Sequence, residues 1–134
     1  MMSDPLTDAD FAALFGFRYA LRRFLAFSAE AAGGAGLTPQ QHQALLAIRA
    51  GEGRELIVGA LADRLLLRPH SATELVDRME KLGLVIRTVG QADRRQVTVR
   101  LTRKGEQLLN GLSEAHRAEL RRLRPLLGEL MSKL

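Results

Sequence analysis

The chain has no cysteine. That excludes a disulfide framework, a thiolate metal site and a cysteine redox sensor, and it fits a reducing compartment. No apolar run approaches the roughly 18 residues that a membrane-spanning helix needs, so no membrane association is expected. The opening residues, MMSDPLTDADF, are acidic and polar, the wrong chemistry for a secretory leader; a soluble, cytoplasmic protein is the expectation. The motifs HExxH and GxSxG and a Gly-rich phosphate loop are all missing, and the three histidines (His42, His70 and His116) are dispersed. Neither an enzymatic activity nor a metal or cofactor is expected. There is no internal repeat and no low-complexity tract.

What is present is one domain's worth of chain, 134 residues with 46% hydrophobic content, enough for a core. At this size a partner subunit would still add useful burial. The net charge is +5, and it has a location. Between Arg54 and Lys104 eleven basic residues face six acidic ones, which is the whole excess, because the flanks cancel. A concentrated positive segment fits a polyanion, although a solvated basic face has the same composition.

The punctuation of the chain separates its elements. Thr7-Asp8-Ala9-Asp10 caps a first helix reaching about Ala32, which Gly33-Gly34-Ala35-Gly36 ends. All five Phe and the single Tyr lie between Phe11 and Phe27. That is more apolar surface than one narrow stripe can bury, so core plus subunit interface is the expected use. Thr38-Pro39 opens a second helix to about Ala50. A short edge strand is expected at 54–56, a third helix at 58–67 and a fourth at 69–82, with Gly83 as its left-handed cap. The period then changes from 3.6 to 2. Runs at 84–89 and 96–101 read as a hairpin whose tip, Gln91-Ala92-Asp93-Arg94-Arg95, is polar and basic. Thr102 caps a last helix with the seam Leu109, Leu112, His116, Leu120, Leu123, Leu127, Leu130 and Leu134, suited to helix packing across a dimer. Pro125 predicts a kink or a break there.

The fold class that follows is mainly α with a small β-hairpin wing: a winged helix-turn-helix flanked by N- and C-terminal dimerisation helices. Helices three and four match an arrangement in which the second helix enters the major groove of double-stranded DNA. An Arg-rich hairpin tip suits the minor groove, whose negative potential draws guanidinium groups. Each part is common alone; the order, with the charge excess confined to it, is far more specific.

Several segments taken together resemble the MarR family of transcriptional regulators: Leu37-Thr38-Pro39-Gln40-Gln41, Val58-Gly59-Ala60-Leu61-Ala62, the run from Thr73 to Val85 (TELVDRMEKLGLV), Asp93-Arg94-Arg95, and Leu101-Thr102-Arg103-Lys104-Gly105. The resemblance covers 37–105. The flanking stretches 7–33 and 106–134 fit the family's dimerisation helices by position only. It implies a homodimer on a palindromic operator, often released when an anionic aromatic ligand binds between the two regions.

Carried over residue by residue, the resemblance places major-groove contacts at His70, Ser71, Thr73 and Glu74, with Arg68 on a phosphate. Glu74 departs from the basic or polar residue of many relatives. A carboxylate can accept from a cytosine amine, but it repels phosphate, and pairing with Arg78 one turn on is the competing role. In the wing the resemblance implies that Asp93 holds Arg95 in the minor groove while Arg94 lies on adjacent phosphates. The aromatic cluster, with Arg18, Tyr19, Arg22 and His42 nearby in sequence, marks a candidate pocket for a small anionic aromatic effector; interface packing is the competing role of these residues. A constitutive DNA-binding protein without an effector, or a winged-helix module that docks on another protein, fits the same residues.

Overall fold

Thr7 and Thr38 start the first two helices through the same device. Thr7 Oγ1 accepts from the Asp10 N–H (3.2 Å) and the Asp10 carboxylate accepts from the Thr7 N–H (2.9 Å). Thr38 and Gln41 exchange the equivalent pair, both at 3.1 Å. Each pair satisfies donors that a helix start leaves without partners. A computed structural model, which describes residues 4–90 and 96–134, shows what these caps open: α1 (Asp8–Gly34) and α2 (Pro39–Ala50). One 3-10 turn (Glu52–Arg54) then leads to β1 (Glu55–Ile57), α3 (Val58–Leu65), α4 (Pro69–Lys81), β2 (Val85–Val89), β3 (Val97–Leu101) and α5 (Arg103–Ser132).

Two boundaries depart from expectation for identifiable reasons. The third helix stops at Leu65 rather than Leu67, because Leu66 takes a left-handed conformation (φ 56°, ψ 40°). The Leu67 N–H then reaches back to the Ala62 carbonyl at 2.9 Å, closing the helix without a glycine. The break anticipated at Pro125 does not occur, and α5 runs through the proline to Ser132. Pro125 has no N–H to offer the Arg121 carbonyl, but both residues are exposed, so water can take that role.

The three strands form an antiparallel sheet in the order β1-β3-β2. Val99, in the middle of β3, pairs with Leu56 on one side and Arg87 on the other. Leu56, Val85 and Val99 face inward and join Leu45, Ile48, Leu61, Val76, Met79, Leu84 and Leu109 in one contiguous core. That core lies between α2, α3, α4, the sheet and the start of α5, so the DNA-reading elements proposed from sequence rest on the best-packed part of the chain.

The flanking helices are different. In α1 only Ala13, Ala20 and Ala32 are buried, while Phe11, Phe15, Phe17 and Tyr19 are 46–66% exposed. Helix α5 packs antiparallel against α1: Gly16 of α1 meets Leu130, and Ser28 meets His116. Its seam is buried at Leu109 and Leu112, but Leu120 and Leu134 are exposed, as are Leu126 and Met131 beside them. Among the described residues no helix is long and apolar enough to cross a membrane.

Candidate nucleic-acid interface

Helix α4 is built to show one face and bury the other. Ala72, Leu75, Val76 and Met79 are buried, and at about 100° per residue this turns His70, Glu74, Asp77 and Lys81 outward, with Thr73 and Arg78 at the margins. Pro69 occupies the first helical position, and Arg68 is the N-cap without making a side-chain capping bond. The first-turn N–H groups and the positive end of the helix dipole are thus not covered by a capping side chain, an arrangement that favours an anion. Of the residues singled out in sequence, Arg68, His70, Thr73 and Glu74 are exposed and Ser71 is half-buried. The Thr73 hydroxyl donates to the Pro69 carbonyl (3.1 Å). Glu74 makes no ion pair with Arg78 among the described residues, so the competing local role for that carboxylate is not taken up.

The hairpin stands beside α4 and is anchored at several points. Leu84 N–H donates to the Met79 carbonyl and Thr102 N–H to the Leu84 carbonyl, at 2.9 and 3.0 Å. Lys104 Nζ donates to the Leu82 carbonyl (2.8 Å), neutralising the negative end of α4. Arg100 of β3 faces Glu55 of β1 at 3.8 Å. Arg87 of β2 reaches two carboxylates of α4, Asp77 at 2.6 Å and Glu80 at 3.0 Å. The Glu80 hydrogen bond first, and then the two negative charges, raise the Arg87 guanidinium above its already high ordinary value. At the far end Gly90 N–H donates to the Gln96 carbonyl (2.8 Å), closing the strands below the tip. Asp93, Arg94 and Arg95, assigned to the minor groove from sequence, lie outside the described residues.

Two amphipathic helices joined by a three-residue turn, then a clamped two-stranded wing, are the geometry of a winged helix-turn-helix. Residues 35–96 match a family model described as MarR family. The winged-helix stretch of the chain is thus similar to the MarR family. Among its relatives is the HTH-type transcriptional regulator MhqR of Bacillus subtilis (strain 168), 36% identical over 69 residues, which are 52% of this chain and 48% of that protein. An uncharacterized HTH-type transcriptional regulator of the same organism, YfiV, is 36% identical over 73 residues, 54% of this chain and 46% of the relative. The matched stretch thus spans about half the length of these curated relatives. The likeness of fold extends further. AbsC, a MarR family transcriptional regulator from Streptomyces coelicolor, superposes with a TM-score of 0.74 over 97% of this chain and 99% of that one, at 22% identity.

A second feature lies at the junction between the flanking helices and the winged helix. A cavity of about 820 Å³ opens between α1, α2, α3 and α5. His42 and His116 line it, with ring centroids 4.7 Å apart. His116 Nδ1 lies 2.6 Å from the Leu112 carbonyl, which can only accept, so in the neutral ring Nδ1 carries the proton and Nε2 accepts from the Ser28 hydroxyl, 2.8 Å away. Phe24 and Phe27 pack edge-on against the same ring. His42 is buried, and its Nδ1 has no hydrogen-bond partner among the described residues. Burial, and secondarily the charge His116 would carry, hold His42 below the ordinary histidine range.

Of the four residues grouped as an effector pocket from sequence, only His42 lines this cavity. Arg18, Tyr19 and Arg22 do not line it and are exposed on α1, where Tyr19 stacks on Phe15 and lies beneath the Arg23 guanidinium. The cations that do line it are Arg64 of α3 and Arg117, Arg121 and Arg124 of α5. The last three recur at helical spacing around His116, a signal present in the sequence but absorbed into the leucine seam.

Proposed function

We propose that the chain is a sequence-specific double-stranded DNA-binding transcriptional repressor, acting in the cytoplasm as a homodimer on a palindromic operator. The observation that carries this reading is the exposed, uncapped N-terminal turn of α4 standing beside a clamped wing. In this reading Arg68 and the first-turn amides hold a phosphate, His70, Ser71, Thr73 and Glu74 meet base edges, and Asp93 sets Arg95 into the minor groove with Arg94 on the flanking backbone. The half-exposed apolar faces of α1 and α5 support the dimer, because a two-fold interface would cover the same patch on both subunits. Selecting duplexes from a random library and titrating the enriched sequence at rising salt tests the proposal. Affinity should fall log-linearly with salt, by about 0.9 for each phosphate neutralised. A protein that enriches no sequence and binds with a flat salt dependence is a protein-docking module instead.

The cavity favours a second element of the reading, release by a small anionic aromatic effector. Its volume, about 820 Å³, lies within the range of roughly 300–1,000 Å³ usual for small-molecule pockets. Its walls are largely apolar, and among the described residues four arginines and no carboxylate line it. A panel of benzoates and phenols should raise the melting temperature and weaken operator binding. A panel that does neither makes this a constitutive DNA-binding protein.

A further inference from the structure

Helix α4 taken alone has the wrong charge for reading DNA. Between Pro69 and Lys81 it carries three carboxylates (Glu74, Asp77 and Glu80) against two cations (Arg78 and Lys81). Asp77 lies on the outward face, and Glu80 lies toward the margin that meets the wing. One side chain from another element answers both. The Arg87 guanidinium spans them with separate nitrogens, Nη1 to Asp77 and Nη2 to Glu80, at 2.6 and 3.0 Å. The two carboxylates stand three residues apart, so the fork grips one turn of α4. All three side chains are partly shielded, at 32–44% exposure. On its own strand Arg87 is central, facing Val99 in the middle of the five paired positions of β2 and β3.

We infer that Arg87 is a positioning residue for DNA recognition rather than a phosphate contact: it struts the wing against α4 and cancels two carboxylates that would otherwise repel the backbone. This rests on the DNA-binding reading above. A fork requires arginine. Lysine offers a compact point charge that can meet one carboxylate at a time, yet lysine remains a good phosphate ligand. That difference separates the two roles.

The experiment uses the full chain as wild type, Arg87→Gln and Arg87→Lys, with Asp77→Asn as a variant that loosens the fork from the other side. Two readouts are taken: amide hydrogen exchange of β2 and β3 without DNA, and affinity for the selected duplex across a salt series. The strut predicts faster exchange of these amides in Arg87→Gln, Arg87→Lys and Asp77→Asn. It also predicts that Arg87→Gln and Arg87→Lys each weaken duplex binding about fivefold, the loss expected of two partly exposed ion pairs. Exchange unchanged in all three variants overturns the inference. So does an Arg87→Lys protein that binds like wild type while Arg87→Gln loses about 0.9 of salt slope, because that is the behaviour of a phosphate ligand. A wild-type chain that enriches no duplex overturns the DNA-binding reading instead, and the exchange data then decide the strut alone.

Discussion

Replacing Gly105 by alanine sets two effects of opposite sign against each other. Gly105 lies in the first turn of α5, where helix propensity alone favours alanine by about 1 kcal/mol. A methyl group on its Cα, however, would run into the Leu84 carbonyl oxygen. That oxygen is backbone and already accepts from Thr102 N–H at 3.0 Å, so it cannot swing away as a side chain would. Forcing such an overlap typically costs about 1–3 kcal/mol, and more where backbone must shift. Because the atom met is backbone, the upper part of that range, about 2–3 kcal/mol, applies; the collision wins, and Gly105→Ala should destabilise by about 1–2 kcal/mol net. Gly111→Ala is the internal control. It sits on the same helix with no atom within 4 Å of the added methyl, so propensity acts alone and stability should rise by about 1 kcal/mol. Urea unfolding at one fixed protein concentration reads both, since the proposed dimer would make stability depend on concentration. The functional readout goes with it. Leu84 leads directly into β2, so the displaced wing should weaken operator binding in Gly105→Ala and leave it unchanged in Gly111→Ala. A Gly105→Ala protein as stable as Gly111→Ala would refute the packing argument.

Stability should fall on acidification through His42. Its folded-state pKa is depressed, so the unfolded chain takes up protons first. The stabilisation is fully present above the ordinary value near 6.5 and is lost as pH falls from there toward the folded value. Urea unfolding between about pH 7.5 and 5 should show a shallower dependence in His42→Gln, and an unchanged one would remove His42 as its source. Leu127→Asp, on the partly buried stretch of the α5 seam, should yield a monomer by sedimentation, while a dimer of wild-type strength would move the interface elsewhere. Arg95→Ala should weaken operator binding severalfold at moderate salt with the dimer intact, since minor-groove arginines respond to local potential; equal affinity would take Arg95 out of the groove.

The element order was legible because it rests on period and punctuation: Thr38-Pro39 and Arg68-Pro69 open helices, Gly83 closes one with φ +73°, and the change of period at Leu84 marks the wing. Three features were not, each for a physical reason. Leu66 adopts the left-handed conformation that sequence rules reserve for glycine or asparagine, so the pattern predicts a third helix two residues longer than the one formed. Proximity along the chain groups Arg18, Tyr19 and Arg22 with His42. At about 100° per residue they fall well round α1 from Phe24, which does line the cavity. The Arg87 fork needed the relation between a strand and a helix, which neither period contains. By sequence Arg87 is simply a cation within a β-rich run.

These side chains also change what the charge excess means. Eleven cations between Arg54 and Lys104 suggest a protein that grips many phosphates. Among the described residues the structure engages four of them elsewhere: Arg87 holds Asp77 and Glu80, Arg100 faces Glu55, Lys104 caps the end of α4, and Arg64 lines the cavity. At most seven per subunit are left to meet DNA, namely Arg54, Arg68, Arg78, Lys81, Arg94, Arg95 and Arg103. With about 0.9 counterions released per phosphate, the salt dependence of operator binding should be no steeper than about −6 per subunit. A titration of the selected duplex between 50 and 200 mM salt, roughly the range over which such slopes are read, checks this directly. A steeper slope would mean that the intramolecular pairs open on binding and that their cations move to the backbone, Arg87 first among them. A slope within the limit means that part of the positive charge shapes the winged helix, and that affinity comes from no more than these seven cations.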